Sequence, residues 1–266
     1  MTDEASSYVR DGYVYVPSLI SSVESRVIAS ELALISELSW DEATEVINGK
    51  ARPFYRHGGV ATNPKLWPLL VHPRLVDAVA AVLTAPPHCL PGIDTIGMHA
   101  SELEPHRDSS PGELPVTAQN PDAAWFPVVR VILYPASPGA EFGLLPGSHR
   151  RPGAVRDVLD GAHCWRWQTL RGSDALLFDP RVIHVGTPVS GPKPLVILTF
   201  GADGPHALQT YFHARIKTRR LGFPDPPTDL VTLLNDHGLL LPGILDAENW
   251  RFFSAVWPDE EQLSNS

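Results

Sequence analysis

Cysteine is scarce in this sequence of 266 residues: Cys89 and Cys164 are its only two. Two thiols exclude a disulfide framework and a cysteine-built zinc site, and they suit a reducing compartment, the cytoplasm. Long apolar runs are missing as well, so no stretch reads as a membrane span. The opening "MTDEASSYVRDGYVYV" is acidic at once and lacks the apolar segment of a signal peptide. Basic clusters are short: "KTRR" at 217–220 stands alone in a chain of formal net charge −9. That pattern excludes the basic stripe of a nucleic-acid binder and leaves a small molecule as the expected partner. Neither an internal repeat nor a low-complexity block occurs, and the oligomeric state is not legible.

Proline, by contrast, is plentiful at 27 residues, which points to turns and long ordered loops rather than a helical bundle. Hydrophobic residues at 43% and charged residues at 19% are those of a globular chain. "YVYVP" reads as a short strand, and Ser21 or Ser22 as the cap of a helix with Val23, Val27, Ile28 and Leu32 on one face. A second helical region runs through "NPKLWPLLVHPRLVDAVAAVLTAP", broken by Pro68 and Pro73 and stopped by the double proline at 86–87. From about 92 to 201 the apolar runs "IDTIGMHASEL", "VVRVILYP", "ALLFD" and "PLVILTFG" alternate with Gly, Pro, Ser and Asp clusters. These are strands of a β-sandwich or jelly roll. The expected architecture is mainly β with flanking helices in a single domain over 1–266. Helices fill about 1–90, a double-stranded β-helix core about 91–204, and a helical cover about 205–266.

"EPHRDSS" raises the question of chemistry. Residues two apart on an extended chain point to the same side, so His106 and Asp108 can reach one ion. An isolated His-x-Asp is expected by chance roughly once in a chain of this composition, and alone it fits a solvated loop as well as a metal site. "GSDALLFDPRVIHVGTPVSGPKPLVILTFG" supplies a third candidate, His184, between two apolar strands. Two imidazoles and a carboxylate from separate strands form a facial triad, which leaves positions open and favours ferrous iron. Zinc accepts the same ligands, so a metal-dependent hydrolase stays open. "GSHRR" at 147–151 offers a Ser–His pair without the turn or the acidic partner of an acyl-transfer enzyme.

Taken together, these segments resemble the phytanoyl-CoA dioxygenase family of non-haem iron(II), 2-oxoglutarate-dependent oxygenases. The resemblance covers about residues 8–201. It is carried by "DGYVYVPSLISSVE", "LLVHPRLVDAVAAVL", "HRD", "VVRVILYPASPGAEFGLLPGSHRRPG" and "GSDALLFDPRVIHVGTP", in that order. It implies a double-stranded β-helix, with His106, Asp108 and His184 as catalytic iron ligands and Fe(II), 2-oxoglutarate and O2 as cofactors. The implied reaction is oxidation of a small molecule, most commonly hydroxylation, coupled to decarboxylation of the oxo-acid. Relatives divert it to desaturation, epimerisation or cyclisation. Asp108 stands against halogen transfer, for which relatives carry Gly or Ala there. Nothing resembles a nucleotide-binding patch, so a secondary metabolite is the expected substrate rather than phytanoyl-CoA.

One departure concerns the oxo-acid. The family places an Arg about eleven residues beyond the distal His, and this sequence has Leu195 there. Lys193 is the nearest cation, and it offers a point charge in place of a planar fork. Arg130 is the second candidate, on the face of "VVRVILYP" shared with Val128, Ile132 and Tyr134. A charge in so apolar a strand needs a partner: a carboxylate of 2-oxoglutarate or substrate, or an internal salt bridge. Thr95, Gly97 and His99 alternate on the strand before the triad. "RPFYRHGG" at 52–59 is a candidate substrate loop, and Trp250, Phe252 and Phe253 form either a lid or core. The missing Arg also leaves open a non-catalytic binding protein, or an oxygenase that has lost the oxo-acid.

Overall fold

The computed structural model describes residues 3–39, 46–47, 50–51, 54–99, 104–108, 127–151, 155–160, 164–186, 193–220 and 223–256. The chain opens with α1 (Asp3–Asp11), β1 (Tyr13–Val16), α2 (Ser22–Ser39), β2 (Val46–Ile47), β3 (Lys50–Ala51), β4 (Phe54–His57), α3 (Trp67–Leu70) and α4 (Pro73–Leu83). There follow β5 (Pro87–Cys89), β6 (Thr95–His99), β7 (Val128–Leu133), β8 (Ala140–Leu144), α5 (Val155–Asp160), β9 (Arg166–Leu170), β10 (Ala175–Phe178), β11 (His184–Gly186) and β12 (Lys193–Ala202). Helices α6 (Pro205–Arg220), α7 (Thr228–Asp236) and α8 (Ala247–Val256) close the described chain.

Local chemistry sets the helix ends. Ser21 Oγ accepts from Glu24 N at 3.1 Å while Glu24 Oε2 accepts from Ser21 N at 2.7 Å, a reciprocal cap for α2. Pro73 occupies the first turn of α4, where its missing N–H costs nothing, and Thr84 ends that helix in the left-handed region at φ 52°. The buried side of α2 differs from the expected one. Val23 and Val27 are 59% and 53% exposed, whereas Ser25, Ile28 and Leu32 face inward. Ser25 decides this: its hydroxyl donates to Gly172 O at 2.6 Å and accepts from Ala136 N at 2.9 Å, tying the helix to two strand-connecting turns.

A large antiparallel sheet runs in the order β1-β10-β7-β12-β6-β4, with β5 also paired to β12, and a second sheet runs β11-β8-β9. This is the mainly β, helix-flanked jelly-roll architecture expected from the strand pattern, and among the described strands the sheets do not close into a barrel. Strand β1 is the strand expected at "YVYVP", and β4 and β5 also join the large sheet from the first ninety residues, a part expected to be mainly helical. Side chains alternate across β7 as expected. Val129, Val131 and Leu133 pack with Leu75, Val79 and Phe200 beneath the helices. Ile132 and Tyr134 pack with Phe142, Phe178 and Leu195 between the sheets. Strands β8 and β9 are not among the apolar runs of the sequence: in β8 Ala140, Phe142 and Leu144 alternate with Glu141 and Gly143, and β9 carries Arg166, Gln168 and Thr169. Gly143 makes room for the Trp167 ring, which a Cβ there would meet at 2.7 Å.

Candidate metal centre

Backbone pairing carries His106 and Asp108 to His184. His106 N donates to His184 O and His184 N to His106 O, both at 3.0 Å, and Asp108 N donates to Pro180 O at 2.9 Å. The two segments form an isolated antiparallel bridge rather than a strand ladder. A single bridge suffices because the alternation along each segment then points all three side chains to one side. Asp108 Oδ1 lies 3.7 Å from His106 Nε2 and 3.7 Å from His184 Nε2. One ligand atom from each residue falls within 4.8 Å of the others, and no second such group of His, Cys, Asp or Glu forms among the described residues.

Both imidazoles are held in one tautomer. His106 Nδ1 lies 2.9 Å from Glu104 O, and His184 Nδ1 lies 2.9 Å from Val182 O. A carbonyl oxygen only accepts, so each Nδ1 carries the hydrogen and each Nε2 presents its lone pair to the centre. Burial pushes the His184 pKa down to about 4, with Asp108 opposing the shift. At neutral pH its ring is therefore the neutral ligand form. Burial pushes the other way on Asp108, but Arg130 and the two histidines outweigh it and hold the carboxyl below its ordinary value. The carboxylate divides its oxygens: Oδ1 faces the imidazoles, and Oδ2 lies 3.1 Å from Arg130 Nε. Two converging imidazoles and a carboxylate fit a divalent first-row cation.

The turn after β8 braces both ligand segments. Ser148, fully buried, accepts a hydrogen bond from Ile183 N at its Oγ at 2.8 Å. Its carbonyl accepts from Arg107 at 3.0 Å, and Arg107 also donates to Arg151 O at 2.8 Å. Ile183 precedes His184, and Arg107 lies between His106 and Asp108. The "GSHRR" segment thus contributes a strut rather than a nucleophile, a task that spacing alone does not reveal. On the approach to His184, Asp179 and Arg181 form a buried ion pair, with Arg181 Nη2 donating to Asp179 Oδ2 at 2.6 Å. Phe142 stacks on the His184 ring at 5.4 Å, and Phe178 meets it at 4.9 Å, so one side of the centre is apolar.

Of the two cations singled out in the sequence, Arg130 reaches the centre directly, as the partner of Asp108. Lys193 opens β12 and is buried, with Nζ 4.3 Å from the centre of the Tyr134 ring and donating to Glu141 O at 3.3 Å. Glu141 precedes Phe142, the ring that lies on His184, so Lys193 shares the space between the sheets. Burial pulls its pKa down to about 8, partly offset by Glu141. Leu195, at the position where the resembled family carries Arg, is packed with Tyr134 and Ile132 in the same space.

His57, within the candidate loop "RPFYRHGG", pairs with Thr95 at 3.1 Å across β4 and β6 and contributes to the field at Asp108. The side chains of His99 and of 52–56 in "RPFYRHGG" lie outside the described residues, as does the loop 187–192 before Lys193. Trp250 and Phe253 resolve as core: their rings pack on Phe212 of α6 at 4.7 and 4.8 Å, with Phe252 exposed.

No family model and no curated protein sequence matches this chain. Solved structures do. The non-heme alpha ketoglutarate dependent epimerase SnoN from nogalamycin biosynthesis superposes with a TM-score of 0.60 at 18% identity, over 75% of this chain and 79% of that one. The carbocyclase SnoK from the same biosynthesis gives 0.57 at 17% identity, over 76% and 84%. HygX from Streptomyces hygroscopicus, solved with nickel and 2-oxoglutarate bound, gives 0.58 at 19% identity, over 76% and 87%. At such identities the likeness is one of fold: this chain has the jelly-roll fold of these 2-oxoglutarate-dependent enzymes. Among the described residues no single helix is long and apolar enough to cross a membrane.

Proposed function

We propose that this chain is an Fe(II)- and 2-oxoglutarate-dependent dioxygenase of the phytanoyl-CoA dioxygenase type, acting as one domain on a small molecule of secondary metabolism in the cytoplasm. One observation carries the reading. His106 and His184 offer Nε2 lone pairs to a point shared with Asp108 Oδ1, their Nδ1 hydrogens already committed to backbone carbonyls. His106, Asp108 and His184 would hold the iron. When bound, iron and 2-oxoglutarate supply oxidation of a C–H bond by O2, with succinate and carbon dioxide as co-products.

The chain's own residues orient and shield. Phe142 and Phe178 keep water from one side of His184. Lys193 is the cation for the far carboxylate of the oxo-acid, in a space otherwise lined by Tyr134, Ile132 and Leu195. A buried ammonium gains from an incoming carboxylate. Arg130 is the second cation of the site. Hydroxylation is the proposed outcome. Epimerisation or radical cyclisation is the second reading, favoured by the fold shared with the epimerase SnoN and the carbocyclase SnoK.

The test is an anaerobic titration of apoprotein with Fe(II) and then 2-oxoglutarate, following the weak visible charge-transfer band of the chelate. His106→Ala and His184→Ala run beside the wild type. The band is expected in the wild type and in neither variant. Iron binding without the band would sink the oxo-acid part of the proposal. Absence of iron binding would sink the triad and leave a hydrolase using another metal, or a binding protein, on the same fold.

A further inference from the structure

The geometry points to Arg130 as a positioning residue that fixes which oxygen of Asp108 an ion can use; this rests on the function proposed above. A carboxylate has two equivalent oxygens, and its terminal torsion is soft. Here the symmetry is broken. Oδ1 stands 3.7 Å from each Nε2, and Oδ2 stands 3.1 Å from Arg130 Nε. Among the described residues neither the buried Oδ2 nor Arg130 Nε has a hydrogen-bond partner of good geometry, and the two face each other in an ion pair. The Arg130 backbone is fixed on central strand β7, opposite Phe178 on β10 and Thr199 on β12.

The arrangement matters for coordination. A carboxylate free to engage an ion through both oxygens would take up a position. A bidentate oxo-acid and dioxygen together need three positions beside the two imidazoles and one carboxylate oxygen. By holding Oδ2, Arg130 leaves Oδ1 alone for the ion and keeps the third position open. The two cations therefore have separate tasks, with Lys193 on the oxo-acid and Arg130 on the protein's own ligand.

Co(II) is the probe, with aspartate labelled with carbon-13 at the side-chain carboxyl. The infrared difference spectrum of Co(II) binding, without oxo-acid, reports the splitting between the two carboxylate stretches. Arg130→Gln is expected to change that splitting and to weaken 2-oxoglutarate binding at least about tenfold. Lys193→Ala is expected to weaken 2-oxoglutarate binding and leave the metal-only spectrum as in the wild type. Arg130→Lys, which keeps a cation but loses the guanidinium Nε, should give an intermediate spectrum, and it carries the same test if Arg130→Gln does not fold. An unchanged splitting in the Arg130 variants overturns the inference, and weaker oxo-acid binding with that unchanged splitting would make Arg130 an oxo-acid ligand. A wild type that binds no Co(II) overturns the proposed function instead.

Discussion

Ser148→Ala tests whether the turn after β8 holds the metal ligands in place. The hydroxyl is fully buried and accepts from Ile183 N at 2.8 Å. Alanine removes that acceptor and fills nearly the same volume, so the principal cost is a buried N–H left without a partner. Such a group costs about 1–3 kcal/mol. For a chain of this size 1 kcal/mol moves the melting temperature by about 2–4 °C, so a loss near 2 kcal/mol lowers it by about 4–8 °C. Ser30→Ala is the control: the Ser30 hydroxyl donates to Arg26 O at 2.9 Å within its own helix, but it is exposed, and its loss should stay within about 0.5 kcal/mol of wild type. The second readout is specific to the site. Ile183 adjoins His184, so relaxing that peptide should weaken Co(II) binding by about tenfold, as loss of a supporting hydrogen bond does at other metal centres. Thermal melts of the apoprotein and Co(II) titrations check both. If Ser148→Ala melts with Ser30→Ala and binds Co(II) like the wild type, the turn is not the brace described.

Two further outcomes follow from titration. The pKa of His184 is about 4 when folded, against 6.5 for a free imidazole, so between these values the unfolded chain takes up the proton that the folded chain refuses. Its contribution is fully present above about pH 6.5 and is lost as the pH falls to about 4, by about 3 kcal/mol at 1.36 kcal/mol per pKa unit. Apoprotein melts across that range should drop more in the wild type than in His184→Phe. For Lys193, with a pKa of about 8, the ammonium is lost as the pH rises through that value. 2-Oxoglutarate affinity should therefore decline above about pH 8, and Lys193→Arg, which stays protonated, should flatten that decline. An unchanged pH profile in Lys193→Arg would remove Lys193 from the oxo-acid site.

Periodicity and turn chemistry in the sequence were sufficient for the mainly β class, for α2 and α4 with their caps and prolines, and for the four apolar strands β6, β7, β10 and β12. Each is written in contiguous residues, where alternation and capping act over a few bonds. His106, Asp108 and His184 were also legible as residue types of one chemistry. The resemblance implied that they meet; how they meet was not legible, because it depends on the bridge between 106 and 184 and on Ser148, far from both in sequence. The inward side of α2 was set by Ser25 reaching two distant turns, a polar contact that outweighs the apolar pattern of Val23 and Val27. Arg130 shows the division most sharply. Its place in an apolar strand announced that it needed a partner, and only the packing of β7 beneath the bridged segments decided that the partner is Asp108. A strand determines which way a side chain points, and the tertiary structure determines what is waiting there.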